Sequence, residues 1–324
     1  MQQVKFLITR FSSIGDIVLT APVIHALRSH YRTNARIDYV TLKRYRSTVE
    51  LISGIDNIHC IEKSTSEVLS DLEETEFDYL LDLHGNIRSR SLARSLNIIT
   101  FSVKKKPAAR LSLVLGMRKQ TIEHFVDRSL SLLNPFSIST KIPEPWGELK
   151  SSKPEHELPS KFIALVPGAA HAGKQLPIST LEEICRSLKE YQFIIVGGND
   201  MKEVGDKLES EHANVKSLCG QATLENTSYI FEKASLAIGG DTGAMHIAAA
   251  VGTKLVSIWG CTRPTLGLSP WKAHLDSIIL EPEGRGTRPC SRHGAKCRYR
   301  KLGKNLCINH VSPERIVGAV RGMV

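Results

Sequence analysis

Short apolar segments ending in small-residue turns alternate with stretches of helical period along nearly the whole chain, and this rhythm limits the possible folds more than any other feature. VKFLITRF (4–11) reads as a strand, and after the turn SSIGD the apolar residues Ile17, Leu19, Val23 and Leu27 fall at helical spacing. RIDYVTL (36–42), FDYLLDL (77–83) and IITFSV (98–103) follow as strands, with helical stretches near 67–75 and 87–96 between them. Apolar strands separated by helices predict a parallel sheet covered on both faces.

The rhythm breaks once. KIPEPWGELKSSKPEHELPSK (141–161) carries four prolines and many charges, which suits an exposed extended connection. It then restarts with FIALVPG, a helix near 179–189, QFIIVGG, a helix near 201–210, VKSLCG, a helix near 224–234, SLAIGGDTG with a small-residue helix after it, and the strand KLVSIWG. A chain of 324 residues is long for one core and suits two. Two α/β domains are therefore predicted, 1–150 and 151–324, with a cleft between the carboxyl ends of their sheets, where ligands of such folds bind. The closing VSPERIVGAVRGM predicts a terminal helix over about 312–324, with Ser312 as N-cap and Pro313 in the first turn. The first domain is one expected partner for its apolar face.

Composition narrows the partners. Lysine and arginine outnumber aspartate and glutamate by 43 to 33, a net charge of +10 that favours nucleotides, nucleic acid or acidic lipid headgroups. The apolar run between Lys5 and Arg10 is too short for a signal peptide, and no stretch approaches a membrane span, so a cytoplasmic protein is expected. Seven cysteines, an odd and scattered set, do not form a secreted disulfide scaffold. Cys60, Cys185, Cys219 and Cys261 lie in or beside apolar segments and read as small buried residues. Cys290, Cys297 and Cys307 gather with His293 and His310, but their separations of six and nine residues lack the C-x-x-C knuckle of a strong zinc pattern.

Three loops carry the candidate chemistry. FSSIGD places Asp16 in the first turn of a helix; this is a common partner of the helix dipole, and also a position that keeps a general base ionised. In VPGAAHAGKQLP (166–177), Lys174 has no acid beside it in sequence and reads either as a solvated lysine or as a charge for an anion. In GGDTGAMH (239–246), Asp241 is expected as the N-cap, leaving the amides near Thr242 and Gly243 and the Thr242 hydroxyl for a phosphate. The plainer reading there is a capped core helix with His246 satisfied by backbone. There is no P-loop, no G-x-G-x-x-G after the first strand and no D-x-D pair. A nucleotide would be neutralised by lysine, amides and helix dipole, without metal or cofactor.

The segments FSSIGDIVLTAPVIHAL, DLHGNIRS, PGAAHAGKQLP and DTGAMHIAAAVGTKLVSIWG, in this order, resemble the ADP-heptose:lipopolysaccharide heptosyltransferases of glycosyltransferase family 9. The resemblance implies a GT-B architecture, two Rossmann-like parallel-sheet domains facing across a cleft, with the acceptor on the amino-terminal domain and the nucleotide sugar on the other. It implies inverting transfer without metal or other cofactor. Asp16 would take the proton from the acceptor hydroxyl, and Lys174 would meet the donor diphosphate. Thr242 and Gly243 would bind the diphosphate, with Asp241 and His246 near the donor sugar and phosphate. Ser13, Gly15 and Gly168 would line the donor, and Asp200, or else Asn199, would hold the ribose. From the basic clusters, Arg88, Lys104 and Arg110 are expected at the acceptor.

The implied partners are ADP-heptose, a lipopolysaccharide inner core bearing Kdo or heptose on lipid A, and the cytoplasmic face of the inner membrane by peripheral contact. Two departures bear on the donor sugar. Leu176 stands where the family loop often has tryptophan, and His84 stands where D-x-Q-G is common. Three rivals remain at this level. One is a family relative using another nucleotide sugar or acceptor. Another is a nucleic-acid-binding module built on Lys43–Arg46, Arg88–Arg94 and Lys104–Lys106, which lack interleaved aromatics. The third, a nicotinamide-dependent oxidoreductase, lacks its fingerprint.

Overall fold

The computed structural model of the chain describes residues 3–118, 120–284, 288–295 and 306–324. The chain forms two units. The first comprises Met1–Lys106 with Phe125–Lys150, and the second Pro107–His124 with Ser151–Val324.

The first unit holds β1 (Val4–Thr9), β2 (Ala35–Leu42), β3 (Asn57–Ile61), β4 (Tyr79–Asp82) and β5 (Ile99–Ser102). They pair in parallel in the order β3-β2-β1-β4-β5, which puts Thr9 beside both Val40 and Asp82. Strand β1 is central, and its interior is apolar because both faces are covered. Leu7 packs with Val40, Leu72, Leu80 and Leu92 on one face, while Phe6 meets Tyr31, Tyr79 and Phe136 on the other. Strand β3 escaped the sequence reading because Asn57 and His59 interrupt its apolar pattern. Both side chains hydrogen-bond the buried Asp38 carboxylate, at 3.2 and 2.9 Å.

The second unit holds β6 (Ile163–Val166), β7 (Phe193–Ile195), β8 (Val215–Ser217), β9 (Leu236–Gly240), β10 (Leu255–Ile258) and β11 (Ile278–Leu280). These six strands are parallel, in the order β11-β10-β9-β6-β7-β8. Leu165, Ile195, Ile238 and Val256 join Leu181 and Ile184 in its core. The terminal helix Pro313–Arg321 starts at Ser312, whose hydroxyl accepts from the Arg315 amide, and lays Ile316, Val317 and Val320 into the same core. Its apolar face is thus occupied within the second unit.

The connection around 141–161 is extended, with one isolated antiparallel bridge between Ile52 and Leu149. It is not simply exposed, since Ile142 and Trp146 are buried. The excursion Pro107–His124 belongs to the second unit because Leu113 and Ile122 pack on Leu266, and the Ile122 amide donates to the Thr265 carbonyl at 2.9 Å.

Each sheet has one topological switch point, where successive crossovers leave in opposite directions: β1/β4 in the first unit, β6/β9 in the second. A crevice outside the carboxyl ends of the strands at such a point is where ligands of open α/β sheets bind.

Candidate active site

At the first switch point, the turn leaving β1 feeds the short helix Ile14–Val18, with Ser13 as N-cap. Asp16 closes a capping box, its Oδ2 accepting from the Ser13 amide at 3.3 Å and the Ser13 hydroxyl at 2.9 Å. Its Oδ1 pairs with the Arg10 guanidinium at 2.8 Å. Arg10 is held in turn by the carbonyls of Ser12 and Leu83, at 2.8 and 2.7 Å, and stands over the Phe125 ring. Burial alone would raise the Asp16 carboxyl; the Arg10 charge and the Ser13 and Arg10 hydrogen bonds outweigh it and hold the group down at about 2. Asp16 is a carboxylate at any physiological pH. Ser13 is exposed beside it, whereas Gly15 is buried.

The loop after β4 forms the other wall of this crevice. Asp82 is fully buried and shapes it: Oδ1 accepts from the Thr9 hydroxyl (3.2 Å) and the amides of His84 (2.9 Å) and Gly85 (2.8 Å), and Oδ2 from the Ser89 hydroxyl (2.7 Å). Gly85 makes the turn at a φ of +63°, in the left-handed region that glycine enters at no steric cost. His84 Nδ1 accepts from the Phe11 amide at 3.3 Å, so the neutral ring carries its proton on Nε2. Burial, helped by the charges of Arg10 and Lys105, pushes the His84 imidazole down to about 4.

This shift has a consequence for stability. The unfolded chain binds the His84 proton near 6.5 and the native chain only near 4, so stability falls as pH drops through that window, by about 3 kcal/mol at most. His84→Gln is therefore expected to flatten the dependence of unfolding free energy on pH between about 6.5 and 4, read by urea denaturation. An unchanged slope would show that His84 titrates normally.

Beyond this loop, the Asn86 side chain caps helix Ile87–Leu96 by accepting from the Ser89 amide at 2.9 Å. The Arg88 guanidinium stands 5.6 Å over the Phe11 ring, and that ring stands 5.2 Å from His84. Arg88, Arg90 and Lys63 border a groove of about 740 Å³ with Ser64, Thr65 and Asn86. Of the other acceptor candidates, Lys104 is exposed in the first unit, while Arg110 sits half-buried on helix Pro107–Leu115 of the second.

At the second switch point, Lys174 lies in the loop after β6 and Asp241 in the loop after β9. The two meet: Lys174 Nζ is 2.7 Å from Asp241 Oδ2, and the Thr262 hydroxyl donates to the same oxygen at 2.7 Å. Two expectations are corrected here. Lys174 has an acid beside it in space although none in sequence. Asp241 is not the N-cap, a role that falls to Thr242, whose hydroxyl oxygen accepts from the Ala244 amide at 3.2 Å. Asp241 stands one residue earlier and braces the lysine.

The loop can lie this close to the sheet because β9 ends in a glycine and another follows β10. A Cβ at Gly240 would overlap the Lys174 carbonyl, and one at Gly260 the Gly173 carbonyl. Helix Gly243–Ala250 follows, with His246 buried in it and the Gly243 amide in its first turn. Gly168 and Asp200 lie in the loops that follow the adjacent strands β6 and β7. Gly168 packs under Met201, and Asp200 is exposed in the turn Asn199–Met201.

Arg10, Asp82 and Thr262 were missed as site residues. Arg10 and Thr262 directly follow strands β1 and β10 or their turns, so carboxyl-end position was the available signal. Among the described residues, no group of three or more His, Cys, Asp or Glu is arranged to hold a metal ion. Cys290 and Cys307 approach to 3.9 Å between sulfurs, with Cys261 packed on them, while Cys297 lies outside the described residues. No helix among the described residues is long and apolar enough to cross a membrane.

Comparison with known proteins is consistent across sequence and fold. The profile of Glycosyltransferase family 9 (heptosyltransferase) matches residues 66–295. Lipooligosaccharide heptosyltransferase 2 of Campylobacter jejuni is 21% identical over 336 residues, covering 95% of each chain. Lipopolysaccharide heptosyltransferase 3 of Escherichia coli K12 is 22% identical over 312 residues, covering 86% of this chain and 88% of its own. Among solved structures, E. coli ADP-heptose lps heptosyltransferase II superposes with a TM-score of 0.73 at 17% identity, over 99% of this chain and 98% of that one. An E. coli heptosyltransferase solved with ADP gives 0.70 at 15% identity, over 98% and 97%. The fold is that of the GT-B heptosyltransferases.

Proposed function

The chain belongs to glycosyltransferase family 9, the heptosyltransferases, and from that premise we propose that it moves a heptose from ADP-heptose to the inner core of lipopolysaccharide, with inversion and without a metal ion. The observation that carries this reading is one charged centre at each switch point, a permanently ionised carboxylate at the first and a braced lysine at the second.

In this reading the first unit takes the acceptor and the second the nucleotide sugar. The acceptor oxygen attacks the anomeric carbon and forms the new C–O bond; the bond to the diphosphate breaks, and its electron pair leaves on ADP. The acceptor proton passes to Asp16. A carboxylate held near 2 is a weak base towards a free alcohol. The proton therefore moves late, when the attacking oxygen has gained positive charge and become strongly acidic. Arg10 keeps the carboxylate aimed and ionised. On the other side, Lys174 and the amides at the start of helix Gly243–Ala250 meet the charge that grows on the leaving diphosphate. Asp241 fixes Lys174 Nζ, so the lysine need not be ordered during the reaction. Asp200 holds the ribose and Arg88 a phosphate or acidic sugar of the acceptor.

A donor panel tests the reading. With a lipopolysaccharide-core acceptor and EDTA present, ADP-heptose is expected to release nucleotide, and UDP-sugars are not. Release only from a UDP-sugar, or loss in EDTA restored by Mg²⁺, would overturn the donor or the metal-free mechanism respectively.

A further inference from the structure

From Leu83 to Ile122 the chain carries nine lysines and arginines and no aspartate or glutamate. Within that stretch, helix Pro107–Leu115 is apolar on two sides. Leu113 and Ala109 face inward, packing with Ile122 and Leu266. On the outer side Leu111 is 47% exposed and Leu115, one turn on, 54%; Met117, just past the helix end, is 73% exposed. A helix that has satisfied its core with one face does not need large apolar residues on the other.

Cations stand on either side of this helix in sequence, and two of them lie at its carboxyl end. Lys104, Lys105 and Lys106 precede the helix in sequence. At its carboxyl end, Arg288 donates to the Leu115 carbonyl at 3.2 Å, and Arg118 donates to the Gln120 carbonyl at 2.9 Å. An apolar patch with cations at the helix end matches one occupant, an anionic phospholipid surface, into which leucine and methionine insert while arginine and lysine meet the phosphates. A second copy of the chain docking by the same face would bring Arg118 and Arg288 against their own counterparts.

We propose that the outer face of helix Pro107–Leu115, with Met117, Arg118 and Arg288, docks the protein on an anionic lipid bilayer. The inference rests on the reading that the acceptor is lipid-borne and names the surface that reaches it. Vesicles without acceptor test it separately from the transfer reaction.

The probe is co-sedimentation with phosphatidylcholine vesicles, with and without about one-third phosphatidylglycerol. The full chain is expected to bind only the anionic vesicles, and to release at salt that shortens the Debye length to about 3 Å. Leu111→Ser with Leu115→Ser, and separately Arg118→Glu with Arg288→Glu, should each lower the partition coefficient about tenfold or more. Their transfer to a soluble, lipid-free acceptor should stay at the wild-type rate, which also reports folding. Absence of anionic-vesicle binding, or binding that neither pair of substitutions weakens, would overturn the proposal. So would a dimer in sedimentation equilibrium that the leucine substitutions dissociate, since the face would then be covered by a second copy.

Discussion

Asp16→Asn is expected to lower kcat by about two to four powers of ten while leaving ADP affinity within about twofold of wild type. The amide keeps the size of the carboxylate and can still accept from Ser13, so the helix start survives. It loses the base and the charge facing Arg10. Arg10, 8% exposed, would retain only the carbonyls of Ser12 and Leu83, and a stability loss of about 2 kcal/mol should accompany the change. Urea denaturation measures that loss separately, and single-turnover transfer at a temperature where the variant is folded measures the chemistry. Turnover within tenfold of wild type in the folded variant would remove Asp16 from the reaction and leave it as a capping residue.

Lys174→Met should lower kcat by about two to three powers of ten and weaken ADP binding in the same variant, because one charge serves both the bound diphosphate and the leaving group. Methionine fills much of the space of the lysine stem, which matters because Gly294 packs against that stem. The Asp241 carboxylate would lose its ion pair and keep the Thr262 hydroxyl, so its negative charge would face the diphosphate uncompensated. That repulsion adds to the loss of attraction, which is why the effect should exceed that of removing a solvent-exposed lysine. Isothermal titration with ADP at matched ionic strength decides the matter. Unchanged affinity would mean that the pair only fastens the loop after β6 to the loop after β9.

The two sheets were legible because their central strands are apolar on both faces: VKFLIT and IALV leave little choice but a buried parallel strand. Two of the edge strands, β3 and β11, were not. Asn57 and His59 satisfy a buried aspartate, so β3 does not look apolar, and β11 is three residues long with Ile279 exposed. The roles proposed for Asp16 and Lys174 could be suspected from their loops, because position at the carboxyl end of a strand is a sequence property. Their partners could not. Lys174 and Asp241 are distant in sequence and meet only because β6 and β9 are neighbours in the sheet, which no local pattern states. For the same reason Asp241 was read as a cap: one residue of offset decides between cap and brace, and only the backbone shows that Thr242 takes the first role. His84 was visible as a departure from the family pattern, but its neutrality depends on burial and on Arg10 and Lys105.

The central claim is that Asp16 and Lys174 act from opposite sides of one displacement, and the anomeric configuration of the product tests it most directly. Wild-type protein, ADP-heptose of defined configuration and a lipopolysaccharide-core acceptor are incubated in EDTA, and the new glycosidic linkage is read by NMR. A single displacement with one carboxylate acting as base predicts complete inversion at the anomeric carbon, with one ADP released for each heptose transferred. Retention of configuration would require a covalent or internal-return pathway and would contradict the account, whichever residues proved essential.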